Sequence, residues 1–302
     1  MASLLVVGSV ALDAVETPFG KATDALGGSA TYFAYAASFF TEVRLVAAVG
    51  RDFPQAHVDL LAGRGVDLAG LQVADGPTFR WAGEYGYDLN EAKTLDTRLG
   101  VLADFRPQLP DRFRATPFLF LANIDPDLQL DVLRKVEGPR LVALDTMNFW
   151  IKGKREALRR VLAGVDVVML NDAEARMLAE EPNLIKAARI ILGYGPRIVV
   201  VKRGEYGALM ASEGRFFFVP AFPQDSVFDP TGAGDTFAGG FMGVLARAGT
   251  VDDAALRRAI VYGSVMASFT VEDFSLNRLT RLTQPEIDAR YRIFQEMTRF
   301  EH

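Results

Sequence analysis

Short apolar runs alternate with helical patterns along most of this chain, and this alternation constrains its fold more than any other feature. Six runs have the length and the valine and leucine content of strands buried on both faces: residues 4–7, 43–49, 118–121, 141–144, 167–170 and 198–201. Helical spacing of apolar residues separates most of them, at residues 29–40, 54–62, 126–136, 155–162, 172–179 and 184–192. The alternation predicts an α/β fold in which a mainly parallel sheet is flanked by helices on both faces.

The alternation stops after residue 202. Residues 208–211 and 216–219 read as antiparallel strands near one sheet edge, and the chain from Asp235 onward reads as helical apart from residues 273–282. In sheets of this kind, ligands bind in the crevice at the C-terminal ends of the strands. We therefore expect the functional residues to lie directly after the predicted parallel strands.

Composition excludes several classes of function. The 302 residues are half apolar, enough for one large domain over residues 1–302. The absence of cysteine rules out disulfides, thiolate metal sites and a cysteine nucleophile, and two histidines make a Ser-His-Asp hydrolase or a polyhistidine metal site improbable. A net charge of -5 argues against a nucleic-acid surface. With no 20-residue apolar stretch and no signal-like N-terminus, the sequence predicts a cytoplasmic protein without membrane contact.

The most informative local motif is the run DPTGAGDTF at residues 229–237. Its glycines permit a tight turn with outward-facing N–H groups, and the apolar spacing from Phe237 to Leu245 predicts a helix directly after it. A turn at a helix N-terminus favours an anion, because free N–H groups and the helix dipole coincide there. Asp235 would then stand beside that anion as a candidate base for a substrate hydroxyl attacking a phosphoryl group.

Two other interpretations of this run stay open. Asp235 could be a simple helix N-cap, for which aspartate is favoured. Alternatively, the spacing of Gly232, Gly234 and Ala238 is a degenerate form of the dinucleotide-binding fingerprint. That fingerprint needs a strand immediately before it and a βαβ unit around it, whereas Pro230 interrupts the approach and the downstream sequence is helical.

Residues 79–87 depart from the βα pattern. Odd positions are mostly aromatic, with Phe79, Trp81, Tyr85 and Tyr87, while even positions are mostly polar or small. This period of two predicts an antiparallel strand with one aromatic face. That face could cover a substrate, or it could form a contact between two copies of the chain.

Four motifs in order resemble the PfkB family of sugar and nucleoside kinases, in the ribokinase-like superfamily. They are VVGSVALD at residues 6–13 followed by GGSA at 27–30, NDAE at 171–174, KRGEYG at 202–207 and DPTGAGDTFAGGF at 229–241. Together they span almost the whole chain. The resemblance implies a ribokinase-like three-layer sandwich, with a small β lid formed by approximately residues 11–18 and 76–100.

The resemblance also implies the roles of individual residues on the acceptor side. Asp235 would be the catalytic base, and Gly232, Ala233 and Gly234 would stabilise charge on the transferring group. The residues expected to contact the acceptor are Asp13, Gly27, Gly28, Tyr32 and Trp81. Tyr32 departs from the family pattern, which has asparagine at this position in many members. Its flat apolar ring, with the aromatic strand, favours a nucleoside or a bulky sugar derivative over free ribose.

On the nucleotide side, the resemblance implies an ATP cleft lined by Lys202, Gly204 and Gly207. Asn171 and Glu174 would bind the nucleotide and organise Mg²⁺ through water, although a helix N-cap is the alternative interpretation of this pair. Asp229 and Thr231 match positions that hold a monovalent cation such as K⁺ in many relatives, with Val271 and Ser275 as further candidates. Residues 145–150 end a strand at the same rim and are candidates for phosphate or substrate contacts.

The sequence thus predicts an ATP-dependent kinase that phosphorylates a primary hydroxyl of a sugar or nucleoside. Two alternatives remain: a sugar-phosphate kinase of the phosphofructokinase type, for which Arg80 and Arg98 could supply cations, and a non-catalytic sugar-binding regulator. The expected partners are a small-molecule substrate and a second copy of the chain, joined through the lid.

Overall fold

Two sheets organise the chain, in a computed structural model that describes residues 2–299. The strands are β1 (Leu4–Val7), β2 (Ala11–Thr17), β3 (Gly20–Gly27), β4 (Val43–Gly50), β5 (Val66–Ala74), β6 (Phe79–Tyr85), β7 (Ala92–Arg98), β8 (Phe118–Leu121), β9 (Leu141–Asp145), β10 (Val167–Asn171), β11 (Ile198–Lys202), β12 (Ala208–Ser212) and β13 (Arg215–Val219). The helices are α1 (Ser29–Ala37), α2 (Gln55–Gly63), α3 (Asp111–Arg114), α4 (Pro126–Lys135), α5 (Asn148–Gly153), α6 (Arg155–Leu162), α7 (Asp172–Ala179), α8 (Leu184–Leu192), α9 (Ala233–Ala248), α10 (Asp253–Thr270), α11 (Asn277–Thr280) and α12 (Gln284–Met297).

The large sheet has the strand order β13-β12-β11-β10-β9-β8-β1-β4-β5. Its neighbours pair in parallel from β5 to β11, and β12 and β13 add antiparallel at one edge. The predicted α/β class and mainly parallel sheet are confirmed. The sequence reading missed β5, whose residues are only partly buried and which lacks a continuous apolar run.

Helices cover both faces of this sheet because successive strand residues point in opposite directions. In β1, Leu4 and Val6 join a core that includes Phe241 of α9, whereas Leu5 and Val7 join a separate core on the other face. All four residues of β1 are fully buried, as expected for a central strand covered on two sides. The result is the predicted three-layer arrangement.

Glycines let α9 approach its neighbours closely. A β carbon at Gly239 would lie 2.4 Å from the carbonyl oxygen of Phe33 in α1, and one at Gly240 would lie 2.9 Å from the carbonyl oxygen of Tyr262 in α10. The side chain that any other residue would add has no room at these two positions. This close packing fixes the axis of α9, and therefore the place of its N-terminus relative to the sheet.

The second sheet, which we call the lid sheet, has the strand order β3-β2-β6-β7. It contains the two segments predicted to form a lid, together with β3, which lies outside them. The sequence did not predict β3 or β7 as strands, although β7 falls within the predicted segment 76–100. The prediction that residues 79–87 form an antiparallel strand needs correction. β6 ends at Tyr85 and runs parallel to β2, and it is antiparallel only to β7.

The C-terminal part of the chain is helical as predicted. α9, α10 and α12 account for most of it, and residues 273–282 are irregular except for the short α11. α9 begins at Ala233, so Asp235 lies inside its first turn. Within residues 2–299, no helix is both long and apolar enough to cross a membrane.

Candidate active site

The turn before α9 leaves backbone N–H groups free. Gly232 precedes the helix with a φ of +75°, in the left-handed region that favours glycine. The N–H groups of Gly232, Gly234 and Asp235 have no acceptor within residues 2–299, whereas the Ala233 N–H donates to the Pro230 carbonyl at 3.1 Å. The expectation that Ala233 offers its N–H to an anion therefore needs correction, because that group closes the turn itself. The other three amides lie at the positive end of a 16-residue helix.

The ring of Tyr32 packs directly on this turn. A β carbon at Gly232 would lie 2.4 Å from Cγ of Tyr32, and Tyr32 is only 2% exposed. The structure therefore corrects the expectation that this ring offers an open stacking surface, because the ring is buried against the glycine. Burial, together with the nearby charges of Asp229 and Asp13, raises the pKa of Tyr32 well above its usual value. Tyr32 is thus part of the packing that holds the turn before α9 in place.

The carboxyl group of Asp235 has no hydrogen-bond partner in the described chain. Burial first, and then the negative charge of Asp145, raise the pKa of Asp235 well above its usual value, while Lys202 opposes the shift. Gly232 is the N-cap residue of α9, and no side chain caps this helix. The N-cap interpretation of Asp235 is therefore wrong, and its carboxyl group is free to bind a substrate.

A buried ion pair lies beside Asp235. Asp145 ends β9 and Lys202 ends β11, on either side of β10, and Nζ of Lys202 is 2.9 Å from Oδ2 of Asp145. The exposed fractions of the two side chains are 16% for Lys202 and 6% for Asp145. Burial by itself lowers the pKa of Lys202, but the attraction of Asp145 and Glu174 outweighs it and raises that pKa. Lys202 therefore stays an ammonium ion in the crevice.

On the acceptor side, Asp13 packs its carboxyl group against the two glycines predicted to accompany it. A β carbon at Gly27 would lie 1.9 Å from Oδ2 of Asp13, and Gly28 has a φ of +93°. Oδ1 of Asp13 is buried and has no hydrogen-bond partner. Burial raises the pKa of Asp13 to about 7, although the Gly28 N–H opposes the shift. A buried carboxyl oxygen without a partner is costly, and this oxygen is available to accept a hydrogen bond from a ligand.

We predict a pH dependence of stability from this group. Between pH 3.8 and about 7, folded Asp13 holds a proton that the unfolded chain releases, so its contribution to stability is lost as pH rises through about 7. Asparagine at this position cannot titrate. The free energy of unfolding of the wild type, measured in urea without ligand from pH 4.5 to 8, should therefore fall relative to that of Asp13→Asn, by on the order of a few kcal/mol. Parallel curves for the two proteins would contradict the assignment.

The aromatic face of β6 is turned toward the crevice. Trp81 lies directly opposite Asp13 of the neighbouring strand β2, so both side chains project from the same side of the lid sheet. The indole of Trp81 lies on Gly83 and donates to Oγ1 of Thr94 at 3.3 Å. Tyr87 lies beyond the strand and is 87% exposed, so it does not belong to this face.

Tyr85 connects the lid sheet to the turn before α9. Its Oη forms a hydrogen bond with Oγ1 of Thr231 at 3.3 Å. Burial raises the pKa of Tyr85 to about 12, although the hydrogen bond to Thr231 opposes the shift. The hydroxyl therefore stays protonated beside the turn.

Asn171 and Glu174 form a reciprocal capping box at the start of α7. Oδ1 of Asn171 accepts from the Glu174 N–H at 2.7 Å, and Oε2 of Glu174 accepts from the Asn171 N–H at 2.8 Å. The N-cap interpretation is thus confirmed, but it leaves Oε1 of Glu174 without a partner in the described chain. Burial, and then the charge of Asp145, raise the pKa of Glu174 to about 7 against the attraction of Lys202.

The two glycines of the predicted nucleotide hairpin both have positive φ, +53° for Gly204 and +82° for Gly207. A β carbon at Gly207 would lie 2.0 Å from the Val219 carbonyl oxygen, so no other residue fits there. A β carbon at Gly204 would lie 2.5 Å from Oδ1 of Asn90, in the loop between β6 and β7. The loop between β6 and β7 therefore reaches the hairpin that contains Gly204 and Gly207.

The four residues expected near a monovalent cation lie together. Asp229 is 1% exposed, and its carboxylate accepts from the N–H groups of Thr231 at 2.9 Å and Ser275 at 3.3 Å. The Val271 carbonyl accepts from the Phe228 N–H at 2.8 Å. Burial raises the pKa of Asp229, and these N–H groups oppose the shift. This network joins the turn before α9 to the loop after α10.

The groups present fit a polyphosphate and a hydrated divalent cation. Free amides of the turn and the Lys202 ammonium suit anionic oxygens, while the raised pKa values of Glu174 and Asp235 reflect a carboxyl cluster that a bound cation would relieve. Within the described residues, no three carboxylate or histidine side chains lie close enough to hold a metal ion directly.

Sequence reasoning missed three contacts at this site. It assigned Asp145 only to the rim, since no local signal predicts that Lys202, 57 positions later, reaches it. It included Tyr85 in an aromatic face but could not predict its bond to Thr231. Nothing in the sequence distinguished Asn90.

Comparison with known proteins identifies relatives along most of the chain. A cytidine kinase of Thermococcus kodakarensis is 31% identical over 253 residues, which cover 82% of this chain and 90% of the relative. An ATP-dependent ribose-1-phosphate kinase of Halopiger xanaduensis is 30% identical over 254 residues, covering 81% of this chain and 79% of the relative. The crystal structure of a nucleoside kinase of Methanocaldococcus jannaschii, a member of the ribokinase family, superposes with a TM-score of 0.77 at 20% identity, over 97% of this chain and 99% of that one.

The family model described as pfkB family carbohydrate kinase matches residues 1–280. ATP is the phosphoryl donor of this family, and its use implies a divalent metal ion. The acceptor is a small molecule. The chain belongs to the pfkB family of carbohydrate kinases and is an ATP-dependent sugar or nucleoside kinase.

Proposed function

We propose that this kinase transfers the γ-phosphoryl group of ATP to the primary hydroxyl of a nucleoside. The observation that carries the proposal is a pair of carboxyl groups in one crevice, each without a partner where a substrate would bind. Asp13 has a buried, unpartnered oxygen suited to the ring hydroxyls of a sugar, and Asp235 has a free carboxyl group beside the open amides of the turn. Tyr32 packs on Gly232 of this turn, and the charges of Asp13 and Asp235 both act on its hydroxyl group.

Each group has a distinct task in the proposed reaction. Asp235 takes the proton of the acceptor hydroxyl as its oxygen forms a bond to the γ-phosphorus, and the bond from that phosphorus to the departing ADP oxygen breaks. The amides of Gly232 and Gly234 donate to oxygens of the transferring group. Asp13 orients the sugar, and Trp81 and Tyr85 exclude water from above, which limits hydrolysis of ATP.

A nucleoside is preferred over a free sugar because of the lid. Trp81 projects from the same side of the lid sheet as Asp13, so a base attached to a sugar held by Asp13 would meet an aromatic surface. Stacking of a base on an aromatic side chain contributes about 1–3 kcal/mol. The similarity to a cytidine kinase over 82% of this chain supports the same class of acceptor.

Steady-state kinetics with cytidine, adenosine, inosine, ribose and fructose would test this preference. We expect kcat/KM for the best nucleoside to exceed that for ribose by about tenfold or more, as stacking of this strength allows. Ribose 1-phosphate and fructose 6-phosphate complete the panel. Strong activity on a sugar or sugar phosphate, with none on any nucleoside, would contradict the nucleoside acceptor and leave the kinase assignment intact.

A sugar-phosphate acceptor is the second candidate, since a ribose-1-phosphate kinase is among the relatives. The structure gives it less support. Arg80 in β6 lies directly opposite Arg98 in β7, and Arg80 is the residue before Trp81. Because successive strand residues point to opposite faces, both arginine side chains project from the other side of the lid sheet than Asp13 and Trp81. Arg80 already pairs with Asp24, and Arg98 with Asp96.

A non-catalytic regulator has no supporting observation, because Asp235 and its glycine turn are intact. We further propose that the divalent ion is Mg²⁺, organised through water by Asn171 and Glu174, and that K⁺ binds near Asp229 and Thr231. Residues 1–302 would form one domain whose lid comprises approximately 11–18 and 76–100. A homodimer through the lid and a cytoplasmic location stay predictions.

A further inference from the structure

The ammonium group of Lys202 has unused hydrogen-bonding capacity in a buried place. A lysine ammonium carries three N–H donors. Within residues 2–299, Nζ of Lys202 donates only to Oδ2 of Asp145, at 2.9 Å. Its side chain is 16% exposed, so little water is available to satisfy the other two donors. Buried donors without acceptors are costly, and this arrangement fits a site built for an anionic ligand.

The free donors lie beside the turn before α9. A β carbon at Gly234 would have Nζ, Cε and Cδ of Lys202 as its three nearest atoms, at 3.0, 3.6 and 3.7 Å. The missing side chain at Gly234 is therefore what makes room for Lys202. The unpartnered N–H groups of Gly234 and Asp235 belong to the same turn. The side-chain cation and the open amides thus face one small volume.

Asp145 holds this cation in place. Its Oδ1 accepts from the Thr146 N–H at 2.7 Å, so the carboxylate is fixed while Oδ2 bonds Lys202. The residue is 4% exposed. Because β9 and β11 flank β10, the ion pair bridges the end of β10, where the capping box of Asn171 and Glu174 begins α7. The ion pair therefore lies between Asn171 and Glu174 on one side and the proposed catalytic base Asp235 on the other.

We infer that Lys202 is a catalytic residue that donates to the transferring γ-phosphoryl group, and that Asp145 is a positioning residue acting through it. The inference rests on the proposed phosphoryl transfer and assigns Lys202 to the reacting phosphate, beyond a general place in the nucleotide cleft. Lys202 stays protonated throughout. Charge builds on the oxygens between acceptor and ADP as one P–O bond forms and the other breaks, and the ammonium stabilises it.

Nucleotide binding tests the contact without any acceptor. For Lys202→Met, we expect affinity for the non-hydrolysable ATP analogue AMP-PNP, measured by calorimetry with Mg²⁺, to fall about tenfold while affinity for ADP changes less than about threefold. An equal loss for both nucleotides, or none for either, would overturn the inference. AMP-PNP differs from ADP by the γ-phosphoryl group and the imido bridge that carries it. Because no acceptor is present in the assay, this outcome does not depend on which acceptor the enzyme uses.

Kinetics on the best acceptor test the catalytic role. Lys202→Met should lower kcat by about 100-fold, the usual effect of one charge-stabilising donor. Because Asp145 would then be buried without a partner, this variant can lose stability. The double variant Lys202→Met, Asp145→Asn removes both charges, and it should fold and show the same loss of kcat.

Asp145→Asn alone should lower kcat by about tenfold, and its effect should vanish when Lys202 is already methionine, as expected for a residue that acts through another. Lys135→Met is the matched control: this lysine also pairs with an aspartate, Asp131 in α4, and its loss should leave kcat unchanged. Full kcat in the folded double variant would overturn the inference. Absence of activity in the wild type on every acceptor would instead refute the proposed function.

Discussion

Replacing Asp235 with asparagine should lower kcat by about two to four powers of ten, the usual contribution of a positioned base. Asparagine keeps the size of the side chain but cannot accept the proton of the acceptor hydroxyl. The fold should be retained, because Asp235 makes no hydrogen bond in the described chain and is not the cap of α9. Burial, and then the neighbouring carboxyl groups, raise the pKa of Asp235 and so oppose its ionisation, which means that removal of the charge should not destabilise the protein.

The measurement is kcat with saturating ATP and acceptor, alongside thermal unfolding and ATP binding. Asp253→Asn provides a matched control, since Asp253 also lies in the first turn of a long helix but pairs with Arg257 outside the crevice. That variant should keep wild-type turnover. Turnover near the wild-type value in Asp235→Asn would show that another group takes the proton.

Gly232→Ala should be nearly as damaging, with a loss of kcat of about 100-fold or more. A methyl group at this position would lie 2.4–2.5 Å from three ring carbons of Tyr32, and the φ of +75° is strained for any residue with a β carbon. The turn must shift to relieve the collision, and its N–H groups then no longer aim at the transferring phosphoryl group. A loss of this size corresponds to one charge-stabilising donor.

Gly214→Ala is a control that separates the effect of backbone strain from the effect of displacing the N–H groups of the turn. Gly214 has a nearly identical φ of +78°, but a β carbon there would meet nothing within 4 Å. In both variants, the left-handed backbone at a residue with a β carbon should lower the free energy of unfolding by about 1–2 kcal/mol. Only Gly232→Ala should lose kcat. Equal kinetics in the two variants would mean that the amides of the turn do not contribute to catalysis.

The sequence predicted the main sheet and the turn before α9 because both leave local signals. Buried parallel strands such as β1 and β8 are uninterrupted apolar runs, and the turn is marked by glycines beside a helix with a small-residue face. The lid strands β3 and β7 leave almost no such signal. Most of their residues are exposed and polar, because a small sheet at the surface buries little of its edge strands.

The contacts within the site join residues that are far apart in the sequence, so no local pattern predicts them. Lys202 meets Asp145 because β9 and β11 flank β10, and Tyr85 meets Thr231 because the lid sheet lies across the turn. Tyr32 illustrates the same limit. Its identity suggested an open aromatic wall, whereas the packing of α1 against α9 places the ring face on Gly232 and buries it.

Transfer of a labelled phosphoryl group tests the central claim most directly. With ATP labelled at the γ phosphate, Mg²⁺ and cytidine, adenosine, inosine, ribose or fructose, the wild type should move the label to a primary hydroxyl of at least one nucleoside. ADP should form in equal amount, and Asp235→Asn should form the same product at least 100-fold more slowly. Label that stays in ATP, or appears only as inorganic phosphate with every sugar and nucleoside tried, would contradict the assignment of this crevice as a kinase active site.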